Sequence, residues 1–74
     1  MQEQISEQLK AHFTDATIEV GGDGSHFDVK VVSDVFEGLR PVKRQQMVYA
    51  ALNDMIRDGS VHAVNIKALT VAEA

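Results

Sequence analysis

His26-Phe27-Asp28-Val29-Lys30-Val31-Val32 is the stretch on which the fold turns. Apolar and polar residues alternate along it. Phe27, Val29 and Val31 therefore share one face, and His26, Asp28 and Lys30 share the other. A strand with one face in a core and one toward water has this pattern. Thr17-Ile18-Glu19-Val20 alternates in the same way. Between the two lies Gly21-Gly22-Asp23-Gly24-Ser25, with three glycines in four residues. That density of glycine predicts a turn, and the whole segment reads as a β-hairpin.

Upstream, Ile5, Leu9 and Phe13 recur every four residues and predict an amphipathic helix over residues 2–14. Downstream, Ser33-Asp34 is placed to cap a short helical turn carrying Val35 and Phe36. Gly38 and Pro41 interrupt the chain between helices. Met47, Val48, Ala51, Leu52, Met55 and Ile56 predict one longer helix over residues 42–58, ended by Gly59. Val61-His62-Ala63-Val64-Asn65-Ile66-Lys67 predicts a last strand, with His62, Val64 and Ile66 on one face and Val61, Ala63, Asn65 and Lys67 on the other. The tail Val71-Ala72-Glu73-Ala74 is expected to fray. The element order is α-β-β-(short α)-α-β, an α+β class with one sheet and its helices on one face.

Size and composition restrict the chemistry. Seventy-four residues of 8.1 kDa allow one domain, residues 1–74, with no room for a deep enclosed pocket. The chain is 45% apolar, carries a formal charge of −4 and contains no cysteine. It therefore has no disulfide, no thiol nucleophile and no cysteine metal site of its own. Cysteine-free chains this small suit a reducing compartment, and a cytoplasmic location is expected. No apolar run approaches the ~18 residues of a membrane span. Met1-Gln2-Glu3-Gln4 is unlike a signal peptide. No Ser, Thr or Lys has an activating partner at motif spacing, and no carboxylate pair stands out, so no enzymatic activity is expected.

Three features are candidate sites. His62 on the last strand is either a partly buried histidine hydrogen-bonded to a turn, a plain surface residue of the strand, or a metal ligand, and His26 at the end of the glycine-rich segment is the other histidine placed to join it. Their spacing matches no dense zinc motif. His12 reads as a surface residue near a helix end. Arg40, Lys43 and Arg44 gather positive charge at the start of the long helix. Gln45, Gln46 and Tyr49 lie close by, and Lys67 is a candidate extension. This group is either a solvated face or a docking surface for a partner or nucleic acid. The Gly21–Ser25 segment lacks the strand-to-helix context of a phosphate loop.

Several of these segments occur together in one known pattern: Gly22-Asp23-Gly24-Ser25-His26-Phe27, Val31-Val32-Ser33, Phe36-Glu37-Gly38, Val42-Lys43-Arg44-Gln45-Gln46-Met47-Val48-Tyr49, Val61-His62-Ala63 and Ile66-Lys67-Ala68-Leu69-Thr70. In this order and spacing the chain resembles the BolA family, and within it the short, acidic bacterial branch of IbaG type. The resemblance implies a class II K-homology-like fold with a three-stranded mixed sheet. It also implies a partner, a monothiol glutaredoxin with a Cys-Gly-Phe-Ser motif, and a [2Fe–2S] cluster shared with that partner and glutathione. His62 matches the family's C-terminal ligand histidine. The second family ligand is a His or Cys from the loop between the first two strands. Here that loop offers His26, with Asp23 as the alternative. Gln45-Gln46 stands where the BolA type has a His-Arg pair, and the tail lacks the usual Pro and Trp.

The expected function is thus a non-enzymatic accessory role in iron–sulfur metabolism. The alternatives are a nucleic-acid-binding transcriptional regulator acting in stress response and a metal-free interaction module. DNA and a second copy of the chain are further candidate partners, and no membrane partner is expected.

Overall fold

The alternating stretch forms the middle of the sheet. The structure, a computed structural model, describes residues 2–23 and 26–74. Its elements are α1 (Gln2–His12), β1 (Thr17–Asp23), β2 (His26–Val32), a 3₁₀ turn (Asp34–Phe36), α2 (Pro41–Ala51), α3 (Asn53–Arg57) and β3 (Ala63–Leu69). The strand order is β1-β2-β3. β1 pairs antiparallel with β2, from Thr17↔Val32 to Asp23↔His26. β2 pairs parallel with β3, from His26↔Ala63 to Val32↔Leu69. A parallel pair needs a long crossover, and α2 with α3 provides it.

The helices cover one face of this mixed sheet. Phe27, Val29 and Val31 point into the core, where they meet Ile5, Leu9 and Phe13 from the α1 stripe and Val48, Ala51 and Leu52 from the crossover. α1 ends at His12, yet Phe13 stays in the stripe, and its ring lies 5.6 Å from that of Phe36. Phe36 is fully buried by the 3₁₀ turn, whose cap is Ser33: its Oγ accepts the Val35 N–H at 3.2 Å. Pro41 occupies the first turn of α2, where a missing N–H costs nothing.

Four expectations need correction. First, the glycine-rich segment is mostly strand. β1 runs through Gly21, Gly22 and Asp23, leaving only Gly24 and Ser25 between the paired strands. Those two residues, and the Asp23 side chain, lie outside the described residues. Gly22 is needed inside the ladder for another reason: its φ is +110°, and a Cβ there would run into the His26 carbonyl and come within 2.8 Å of the Phe27 Cα.

Second, the expected long helix is broken at Leu52 (φ −103°, ψ 8°). The Leu52 N–H is shared between the carbonyls of Val48 at 3.2 Å and Tyr49 at 3.1 Å, which tightens the last turn of α2. α3 then runs to Arg57, and Gly59 follows at φ +83°. Third, the last strand starts at Ala63. Val61 is buried and its N–H bonds the Met55 carbonyl at 3.1 Å, while His62 and Ala63 are both exposed. The expected faces of Val61 and His62 are thus exchanged, because ladder pairing has not yet begun there. Fourth, the tail is tied down. Thr70 and Glu73 bond reciprocally: the Thr70 N–H donates to Glu73 Oε1 at 2.8 Å, and the Glu73 N–H donates to Thr70 Oγ1 at 3.3 Å. This is a capping box on a single turn. The Val71 N–H adds a bond to Asp34 Oδ1 at 3.3 Å.

Candidate functional site

The uncovered face of the sheet is a grid of polar side chains whose rows follow from the register. Glu19, Lys30 and Lys67 form one row, and Gly21, Asp28 and Asn65 the next. Asn65 Nδ2 donates to Asp28 Oδ1 at 3.0 Å across β2 and β3. Lys30 Nζ lies 3.8 Å from Glu19 Oε2. Both pairs are exposed and stabilise by a few tenths of a kcal/mol to about 1 kcal/mol. The next step of the register pairs His26 with Ala63.

That pairing sets the backbones of the two candidate ligands near each other. His26 pairs with Ala63, and His62 is the residue immediately before Ala63. The two histidines, far apart in the chain, therefore stand one register step apart at the starting ends of adjacent parallel strands. Both are exposed. Parallel pairing makes the neighbourhood: the crossover returns β3 beside β2 with its start at the same end of the sheet. His26 is held by ladder bonds, whereas His62 lies on the short connection after Gly59.

The donor set is small. Among the described residues no three His, Asp or Glu side chains converge as a metal-holding group. Two solvent-facing imidazoles are nitrogen donors of the kind that bind metals, too few to hold one alone. Histidine replaces cysteine as an iron ligand in some [2Fe–2S] centres, so the residue type suits that role. Close to this end, the Ser60 N–H donates to Asp58 Oδ1 at 2.8 Å. Hydrogen bonding from Ser60 holds the Asp58 carboxyl below the usual carboxylate range.

The cationic candidates do not share one surface. Arg40 and Lys43 are exposed at the start of α2, and Tyr49 is exposed further along it. Lys67 stands on the open face of the sheet, away from the helices. Arg44 is turned inward, its side chain 12% exposed. Its Nε donates to the Leu39 carbonyl at 2.8 Å and its Nη1 to the Ala68 carbonyl at 3.3 Å and Glu73 Oε1 at 2.6 Å. Glu73 lies outside the candidate residues that the sequence offers. The Arg44 guanidinium, with help from the Thr70 N–H, brings its carboxyl down to about 2. The only sequence signal for this contact is the Thr70-x-x-Glu73 capping-box spacing. Val42 is a second unexpected residue, a large apolar side chain left on the outer face of α2.

His12 Nδ1 lies 3.1 Å from the Gln8 carbonyl on the exposed side of α1, away from the other two histidines in the element order. No helix among the described residues is long and apolar enough to cross a membrane.

The family model described as "BolA-like protein" matches residues 3–73. A protein of Acinetobacter guillouiae from the rpoN-murA intergenic region is 54% identical over 71 residues, covering 96% of this chain and 86% of that one. The acid stress protein IbaG of Escherichia coli is 52% identical over 56 residues, covering 76% of this chain and 67% of IbaG. Among solved structures, BolA1 from Arabidopsis thaliana superposes with a TM-score of 0.87 at 30% identity, covering 99% of this chain and 94% of that one.

Proposed function

This chain belongs to the BolA family, near its IbaG-type branch, and from that premise we propose that it acts as an accessory protein of iron–sulfur metabolism. The family is non-catalytic. In the proposed role residues 1–74 form one domain that binds a monothiol Cys-Gly-Phe-Ser glutaredoxin. The two chains share a [2Fe–2S] cluster, with His62 as ligand and His26 as the second candidate. Such a cluster supplies one-electron redox chemistry and a transferable iron–sulfur unit when bound.

The single observation that carries the reading is the register of His26 with Ala63, which makes His26 a neighbour of His62. The rest of the chain's part is positional. β2 holds the His26 backbone fixed. His62, outside the ladder, adjusts its ring to an incoming partner. The chain has no cysteine, so every thiolate comes from glutaredoxin or glutathione. Ligands split between two chains make metal binding and partner binding interdependent.

The test is anaerobic reconstitution with the cognate monothiol glutaredoxin and glutathione, read by visible circular dichroism and by size. The wild-type chain is expected to form a coloured heterodimer. His62→Ala is expected to weaken it and change its spectrum while its melting curve stays the same. An unchanged spectrum and unchanged cluster lifetime in His62→Ala would sink the ligand assignment. His26→Ala asks the same question of the second ligand.

A second reading, a nucleic-acid-binding regulator in stress response, draws on the K-homology-like fold and on the name of the acid stress relative. It predicts duplex binding with a steep salt slope. With Arg44 engaged inside the chain and Lys67 on another face, Arg40 and Lys43 are the cations that remain together for it.

A further inference from the structure

α2 has a face that nothing in the described chain covers. Val42, Gln45, Gln46 and Tyr49 stand at i, i+3, i+4 and i+7, so they form one stripe along the helix. Val42 is 69% exposed and Tyr49 42%. Together with Pro41 these four side chains line a shallow groove of about 230 Å³.

The charges that α2 itself carries beside the groove have one sign. α2 contains no Asp or Glu. Arg40 and Lys43 flank the start of the stripe, and neither takes part in an ion pair among the described residues. The third cation of that segment, Arg44, is neutralised by Glu73 on the other side of the helix. In a chain of net charge −4, this is a local excess of positive charge beside exposed apolar surface.

We propose that the outer face of α2 docks an acidic amphipathic segment of a partner protein. Apolar side chains of that segment cover Val42 and Tyr49, its carboxylates meet Arg40 and Lys43, and the two glutamine amides supply donors and acceptors between them. Duplex nucleic acid fits this face less well. A phosphate grip draws on many cations, and an exposed Val–Tyr stripe has no counterpart in a phosphate backbone. The position matters too. Arg44 of α2 reaches the Ala68 carbonyl, five positions along β3 from Ala63, which is roughly 16 Å of strand. The start of α2 thus lies by the end of β3 that is away from the histidine pair.

The experiment is an NMR titration of the isotopically labelled full chain with three probes: a synthetic amphipathic peptide of Leu and Glu, the same peptide with Lys for Glu, and a DNA duplex. The acidic peptide is expected to shift the amides of Val42, Gln45, Gln46 and Tyr49, and the basic peptide to leave them in place. Arg40→Glu combined with Lys43→Glu should weaken binding about tenfold or more through like-charge repulsion. His62→Ala should bind the peptide as the wild type does. Both sets of variants change exposed side chains, and a melting curve confirms that they fold. The proposal is overturned by equal binding of the two peptides, by shifts confined to another face, or by tighter binding of the duplex at the same low salt.

Discussion

The Arg44 guanidinium holds Glu73 across 29 residues, with Nη1 2.6 Å from Oε1 and Nη2 3.4 Å from Oε2. The same side chain donates to the carbonyls of Leu39 and Ala68. One arginine therefore joins the segment before α2, the end of β3 and the final turn. Arg44→Ala removes the side-chain donor from both carbonyls as well as the ion pair. It is expected to cost about 1–3 kcal/mol of unfolding free energy, measured in urea. Arg44→Lys should recover only part of this, because an ammonium lacks the planar fork that serves a carboxylate and two carbonyls together. Equal midpoints and slopes for Arg44→Ala and wild type would show that the latch contributes nothing.

The same contact sets a pH dependence. The Glu73 carboxyl is lowered from 4.5 to about 2, chiefly by the Arg44 hydrogen bond and then by the Thr70 N–H. A carboxyl whose folded value lies below its unfolded value stabilises the fold above the unfolded value. That contribution disappears as pH falls through the folded value. Melting temperature is therefore expected to fall between pH 4.5 and about 2, the interval bounded by the two values. Asp58 shifts in the same direction, so the total loss has at least two sources. Glu73→Gln separates them: it should melt lower than wild type at neutral pH and lose less over the acid interval. Parallel acid profiles for the two proteins would assign the loss elsewhere.

The Arg44–Glu73 contact also marks where sequence reading stops. The faces of β2 were legible because Phe27, Val29 and Val31 alternate with polar residues, and that period is local. The α1 stripe was legible for the same reason. By contrast, the Thr70-x-x-Glu73 spacing marks only the final turn, and nothing local ties its glutamate to an arginine 29 residues away. The neighbourhood of His26 and His62 depends on a parallel register, which spacing along the chain does not encode. Glycine density misled at Gly21-Gly22, where the backbone stays in the ladder and the residue type answers to close approach. Apolar periodicity misled at Leu52, because the pattern that buries Val48, Ala51 and Leu52 continues across the break.

Leu52 is fully buried at that break, between α2 and α3. Leu52→Ala leaves a cavity in the core and is expected to cost about 2–5 kcal/mol. A domain of this length has a total stability of about 4–11 kcal/mol, so the variant should lie close to the unfolding transition at 37 °C. Val42→Ala, on the exposed face of the same crossover, should change stability by no more than about 0.5 kcal/mol. Urea titrations of the two variants side by side make the comparison. Similar losses for both would mean that Leu52 is not a core residue.

Gly21 and Gly22 are adjacent in β1 and are expected to respond very differently to one added methyl group. A Cβ on Gly21 meets nothing within 4 Å. A Cβ on Gly22 meets the His26 carbonyl and the Phe27 Cα, at a backbone φ of +110° that side chains disfavour. Gly21→Ala should therefore be nearly neutral, while Gly22→Ala should cost about 1–3 kcal/mol through strain. The obstacle is backbone, which cannot swing aside as a flexible side chain does, so relief requires β1 and β2 to part at the Gly22↔Phe27 pair. That displacement moves the start of β2, and with it His26. Gly22→Ala is thus expected to lower the melting temperature and to shift the amides of His26 and Ala63 in an NMR spectrum. Gly21→Ala should leave both in place. If Gly22→Ala left the His26 amide unmoved, the glycine would not be what holds that histidine beside the start of β3.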